Sequence, residues 1–236
     1  MSWFPGLRST AADVLRVGAD LAVPVRCVAC GRPGSAVCRG CTAACVATVH
    51  RVFPAKPPPG FPSCLAAAPY AGVLRQVLLS YKERPRRCLL GCLVPVLGAG
   101  LAAALSAQPA DRGGAGVALV PVPTARTARR RRGGDHLLPL LLGGVRRGGL
   151  AAQPPIIQVL RARERPTDSV GLNASARRGN VAGAFACRRW APPGRERAVL
   201  LVDDVVASGA TLAEAARVLR GMGYRVLGAV VLAGVD

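Results

Sequence analysis

Residues 199–211, VLLVDDVVASGAT, carry the side chains in this chain best suited to a charged, hydroxylated ligand. Four apolar residues lead into an acidic pair, Asp203 and Asp204. A turn of small residues follows, Ala207, Ser208, Gly209, Ala210 and Thr211, and then the helical pattern LAEAARVLRGMGY. The pattern predicts a buried strand that ends in two carboxylates, then a loop whose backbone N–H groups open a helix. Glycine and small side chains let the backbone approach a ligand closely. The first turn of a helix offers free N–H groups and the positive end of the helix dipole, which together suit phosphate. Carboxylates beside a phosphate cradle make sense only if the ligand also brings donors or a metal, so a sugar phosphate fits better than bare phosphate. Adjacent like charges at a strand end repel, so neutralising both is expected to cost the fold little.

Two other nucleotide motifs compete for this region and fail on sequence. An apolar run before Asp-Asp also resembles the metal-binding strand of a P-loop NTPase, but that needs a G-x-x-x-x-G-K-[ST] loop elsewhere. The lysines are Lys56, followed by Pro57, and Lys82, followed by Glu83, so no such loop exists. Residues 98–103, GAGLAA, fit the dinucleotide fingerprint by letter. Pro95 interrupts the run before them, and no acidic residue closes a second strand about 20 residues on.

A second kind of chemistry lies near the N-terminus. Of nine cysteines, Cys27, Cys30, Cys38 and Cys41 form two close C-x₂-C knuckles in the pattern C-V-A-C-G-x₆-C-R-G-C. Each knuckle points two thiolates at one place, and two knuckles complete a four-sulfur tetrahedral site for zinc. With all four ligands from protein the zinc is structural, because a catalytic zinc keeps one position open. The odd total argues against a disulfide framework. Cys45 is the one substitute ligand in range; Cys64, Cys88, Cys92 and Cys187 read, like Cys45, as small core residues.

The rest of the chain must position these groups. With 236 residues it can form one larger domain and a small appendage, and 51% hydrophobic content is ample for a core. A net charge of +20 attracts polyanions, nucleic acid or a multiply phosphorylated small molecule alike. Aromatics are only 4%, too few for base-stacking platforms. Charged residues punctuate the first 27 positions, so no secretory segment is expected there. Residues 88–105 are uncharged but contain Pro95 and three glycines, and are read as a buried helix in a soluble, cytoplasmic protein without a membrane span. Three parts result: 1–50, an N-terminal helix with the cysteine module; 51–63, a Pro-rich linker; and 64–236, the main domain. In the last, strands are expected at 117–122, 156–160, 198–203 and 224–233, with helices at 136–142, ended by Gly143-Gly144, and at 211–222. Strands alternating with helices argue for an α/β fold, a parallel sheet with flanking helices. Ligands of such sheets sit beyond the carboxyl ends of the strands, where Asp203, Asp204 and the loop 123–132 belong.

The segment 199–211 resembles the phosphoribosyl-pyrophosphate (PRPP) signature of type I phosphoribosyltransferases. The order of features along almost the whole chain is similar to the ComF-type competence proteins of bacteria. The shared features are Cys27, Cys30, Cys38 and Cys41; Tyr81-Lys82; Val120-Pro121-Val122-Pro123; and Arg132-Gly133. Asp168 with Gly171-Leu172, then Arg177, Asn180, Ala184 and Phe185, continue the pattern before the signature itself. Gly134-Asp135-His136 and Ser169 depart from it; His136 is read as a helix-start residue. The resemblance implies a type I phosphoribosyltransferase fold that binds PRPP with Mg²⁺ and transfers the phosphoribosyl group, a pentosyl transfer, to an unidentified acceptor. It implies that Asp203 and Asp204 bind the ribose hydroxyls and that Ala207, Ser208, Gly209, Ala210 and Thr211 hold the 5′-phosphate. Pro123, Thr124, Arg126, Arg132 and Lys82 would then face the pyrophosphate. It also implies a link to DNA uptake, so a PRPP sensor, or a single-stranded-DNA binder using Arg126, Arg129–Arg132, Arg146 and Arg147, stands as the alternative.

Overall fold

Three uninterrupted aliphatic runs build the centre of the molecule, as a computed structural model of the chain shows. It describes residues 25–83, 87–108, 116–124, 130, 134–147, 150, 153–163, 181–189, 191, 194 and 197–235. The N-terminal cysteine region contains a short helix, α1 (Arg39–Ala44), and an edge strand, β1 (His50–Arg51). There follow β2 (Cys64–Pro69), α2 (Gly72–Glu83), a 3₁₀ turn (Arg87–Leu89) and α3 (Leu90–Ser106). Next come β3 (Ala118–Pro121), α4 (Leu137–Arg147), β4 (Leu160–Ala162) and β5 (Phe185–Cys187). The chain closes with β6 (Ala198–Val206), α5 (Ala210–Gly221) and β7 (Arg225–Gly234).

The main sheet has the order β1-β2-β7-β6-β3. β2, β7, β6 and β3 run parallel, and β1 is an antiparallel edge on β2. A separate antiparallel pair, β4 with β5, lies outside it. The expected α/β architecture with a mainly parallel sheet is therefore what the chain adopts. Side chains alternate across the sheet as strand geometry demands. Leu200, Val202, Val230 and Leu232 pack with α2, α3 and α4 on one face. Val199, Leu201, Ala229 and Val231 pack with α5 and the β4–β5 pair on the other.

The uncharged stretch near residue 90 is a core helix. By length and composition alone, Arg87–Ser106 could cross a membrane, yet Leu93, Val94, Val96, Leu97 and Leu101 are buried among α2, α4 and the sheet. Gly100 marks how close it sits, since a Cβ there would lie 2.8 Å from the Ala67 Cβ of β2.

Four expectations need correction. Gly143-Gly144 do not end the helix after residue 142, because α4 runs on to Arg147. A Cβ on Gly143 would lie 2.5 Å from a Val94 methyl, and one on Gly144 3.3 Å from Leu101, so these glycines let α4 and α3 touch. The strand expected at 156–160 is an isolated bridge at Ile156 to Leu119, with the true strand starting at Leu160. The signature strand does not stop at the acidic pair but continues to Val206, because β7 stays beside it through Gly234. Among the remaining cysteines, Cys88 is exposed rather than buried.

The Pro-rich stretch 51–63 lies against the main domain. Val52 is buried and donates its N–H to Cys64 O, and Arg220 Nη1 on α5 donates to Gly60 O at 2.8 Å.

Candidate functional site

β6 outruns β3, and that difference in length makes the site. β3 ends at Pro121 opposite Val202, and one more backbone bond, Val122 N–H to Val202 O, closes the ladder. Pro123, which has no N–H, then leads the chain away. Asp203 and Asp204 follow on β6 where the neighbouring strand has left. Strand alternation sends the two carboxylates to opposite faces: Asp203 continues the Val199–Leu201 row toward α5, and Asp204 the Leu200–Val202 row toward α2 and α4.

The two acids meet different surroundings. Asp204 is buried, and both its oxygens are engaged: Lys82 Nζ donates to Oδ1 at 2.8 Å, and the ring of His136 pairs through Nε2 with Oδ2. Burial pushes the Asp204 carboxyl up, but the His136 hydrogen bond and the Lys82 and His136 charges outweigh it and hold it below the usual carboxylate range. Asp203 has one hydrogen bond among the described residues, from the Asp204 N–H to its Oδ1 at 2.8 Å. Burial, then the Asp204 charge, push its carboxyl well above the ordinary value. The expectation that neutralising both acids costs the fold little therefore fails for Asp204, whose carboxylate is the partner of Lys82.

Beyond Val206 the chain turns through Ala207 and Ser208, both exposed, into Gly209 with φ +73°. That left-handed backbone favours glycine, and Gly209 caps α5 without a side chain. The first turn of α5 holds no acidic residue, so its N–H groups and dipole face outward uncompensated. Ser208 Oγ lies 3.5 Å from the Ala210 N. A Cβ on Gly209 would meet the Phe61 ring at 2.7 Å and Pro54 at 3.0 Å, so the Pro-rich stretch buttresses this loop from behind. Gly209→Ala is accordingly expected to cost about 1–3 kcal/mol, from the strained φ and the overpacked ring. Chemical denaturation checks it: an unchanged midpoint would mean that Phe61 swings away freely.

Of the residues singled out in the sequence, Lys82, Pro123, Thr124, Asp203 and Asp204 and the loop from Ala207 to Thr211 all lie at this carboxyl edge. Arg126 and Arg132 fall outside the described residues, as do Asp168, Gly171, Leu172, Arg177 and Asn180. His136, read from sequence as a helix-start residue, does precede α4, but it also reaches the acidic pair. Its Nδ1 lies 3.5 Å from Thr124 Oγ1, and it is 3% exposed, against which a purely capping role would leave it in solvent. A signal existed in the sequence: a histidine closing the Arg-rich loop that opens at Pro123.

The cysteine cluster is a second centre. The Sγ atoms of Cys27, Cys30, Cys38 and Cys41 all lie within 4.8 Å of one another, with Cys30 and Cys38 at 3.7 Å. A zinc with four sulfurs at about 2.3 Å separates them by about 3.8 Å, so this spacing is compatible with structural zinc. The Cys38 N–H points at Cys27 Sγ at 3.4 Å and leads the backbone bonds that hold that thiol down at about 6. Cys45 lies outside the cluster, and burial, then the nearby Cys92, push its thiol up to about 12.

Residues 127–235 match the phosphoribosyl transferase domain. This part of the chain is phosphoribosyltransferase-like, and the match spans α4, the acidic pair, the Gly209 loop and β7. The cysteine module, β2, α2 and β3 lie before it. No curated protein matches the chain significantly.

Proposed function

We propose that this protein binds PRPP·Mg²⁺ at the carboxyl edge of β3 and β6 and transfers its phosphoribosyl group to an acceptor. The observation that carries the reading is Asp203-Asp204 standing on the strand that feeds directly into the Gly209-opened helix. A diol-binding pair and a phosphate cradle thereby stand at the same end of one strand, as binding of a ribose 5-phosphate requires. In this reading the acids accept from the ribose hydroxyls, and Ala207, Ser208, Gly209, Ala210 and Thr211 take the 5′-phosphate through N–H and hydroxyl donors. Pro123, Thr124, Arg126, Arg132 and Lys82 face the pyrophosphate, whose charge the accompanying Mg²⁺ partly neutralises. Pyrophosphate leaves the ribose C1 through an oxocarbenium-like transition state, so the protein contributes positioning and charge stabilisation rather than a covalent step.

The cysteine module carries a structural zinc in this reading, residues 51–63 join it to the domain at 64–236, and the protein works in the cytoplasm. A reducing compartment suits nine cysteines of which none is paired. The order of motifs along the chain supports kinship with the ComF-type competence proteins.

A second reading, a PRPP sensor or single-stranded-DNA binder in DNA uptake, is favoured by exposed cations: Arg130, and Arg146 and Arg147 in the last turn of α4. Calorimetry with PRPP·Mg²⁺, with and without single-stranded DNA, separates them. Saturable PRPP binding is expected of the transferase and the sensor alike, and release of pyrophosphate then divides the two; silence at millimolar PRPP removes both. Neutralising Arg129, Arg130 and Arg131 together is expected to lower PRPP affinity or turnover. A DNA track would instead lose salt dependence, by about 0.7 in slope per phosphate contact, and leave PRPP untouched.

A further inference from the structure

His136 carries more than its place before a helix requires. Its backbone is fixed from both sides: Tyr81 Oη donates to its carbonyl at 2.8 Å, and Asp135 Oδ1 accepts the N–H groups of Leu137 and Leu138 at 2.9 and 3.3 Å. The ring is thus set before it meets any side chain. It then spans two groups from distant parts of the chain, Thr124 through Nδ1 and Asp204 through Nε2. The polar and charged groups facing it are Thr124, Tyr81 and, across Asp204, Lys82. A carboxylate accepts only, so the Nε2 that faces Asp204 carries a proton and donates it.

Resting on the PRPP reading, we propose that His136 is a positioning residue that fixes the Asp204 carboxylate for a vicinal diol. Lys82 on Oδ1 and His136 on Oδ2 leave each oxygen one further lone pair and hold the plane of the carboxylate in a single orientation. A ribose 2′,3′-diol then meets an acceptor that needs no reorganisation, the condition under which a polar contact contributes most. The same ring ties Thr124, the first residue of the arginine-rich loop, to the acidic pair. This is specific to the chain's own Gly134-Asp135-His136 sequence.

Two amide variants of nearly equal chemistry test it. In His136→Gln the side-chain N–H reaches the place of Nε2; in His136→Asn it reaches only that of Nδ1. Binding of PRPP·Mg²⁺ and of ribose 5-phosphate, which lacks the pyrophosphate, is measured by calorimetry on the full chain, with melting temperatures alongside. His136→Gln is expected to stay within about threefold of the wild type for both ligands. His136→Asn is expected to lose about tenfold or more for both, the worth of one charge-assisted hydrogen bond. Equal binding by both variants and the wild type would return His136 to a helix-start role. Equal loss in both, at matched melting temperatures, would show that the donor to Asp204 is not what matters. If the wild type itself binds no PRPP, the proposed function fails and this inference with it, an outcome distinct from the other two.

Discussion

Asp203→Asn is expected to abolish measurable PRPP binding while raising the melting temperature, whereas Asp204→Asn should lower both. The opposite signs follow from the opposite environments of two adjacent acids. The Asp203 carboxyl is raised by burial and by its neighbour's charge, so the folded state holds its proton more tightly than the unfolded chain does. Its ionisation therefore opposes folding as pH rises through and above the unfolded value of 3.8. An amide of the same shape removes that opposition, so the gain should be largest in alkali and fade in acid. Asp204 is the reverse case. Its folded carboxyl is lowered, so it contributes stability above the unfolded value, and that contribution disappears as pH falls through the folded one. Replacing it leaves Lys82, only 18% exposed, without its anion. Breaking a buried pair from one side costs about 3 kcal/mol, or a fall in melting temperature of about 10 °C for a chain of this size. Thermal melts of both variants at two pH values, with PRPP titrations, check the pattern. Melting shifts of the same sign would mean that the two acids share one environment after all.

Such a trade of stability for binding is what a ligand site is expected to show, and it explains which parts of the molecule could be read from sequence. The strand, small-residue turn and helix of 198–221 were legible because the signal is local: apolar run, glycine at the turn, amphipathic period. The knuckles were legible for the same reason, since four thiols at short spacing have few other uses. Pairings across long separations were not. Nothing near Asp204 announces that Lys82 and His136, 122 and 68 residues away, will occupy its two oxygens. Gly143-Gly144 misled because glycine serves two ends, stopping a helix or letting another helix approach, and only the Val94 contact decides between them. The strand end at Val206 was likewise set by a partner, β7, rather than by its own residues. The buttressing of Gly209 by Pro54 and Phe61 was hidden for the opposite reason, in that a Pro-rich stretch shows no period to read.

Purified protein is expected to carry about one zinc per chain, and removing it should unfold the cysteine region while leaving PRPP affinity within about threefold. The site's own structure argues for the first half. Three of its four thiols are buried, and four sulfurs crowded within 4.8 Å cannot all lose their protons unless a cation balances them. Without metal the cluster offers little apolar area to hold residues 25–50, so the metal's binding energy is folding energy here. The second half follows from where the module rests. The cluster packs on Val73 at the start of α2, and Thr42 of α1 lies 3.5 Å from the Cys92 thiol on α3. Lys82 stands nine residues further along α2, about 13 Å from Val73 at the rise of a helix. Tyr81 and Lys82 are anchored at that far end by His136 and Asp204, so fraying at Val73 should stop before it reaches them. Cys30→Ser, at the one exposed ligand, should reproduce the effect of a chelator without removing a buried side chain. Metal analysis, proteolysis of residues 25–50 and a PRPP titration on the same sample check all of this. A metal-free preparation with four freely reactive thiols and an unchanged melt would overturn the zinc, and a collapse of PRPP binding on chelation would show that α2 transmits the loss.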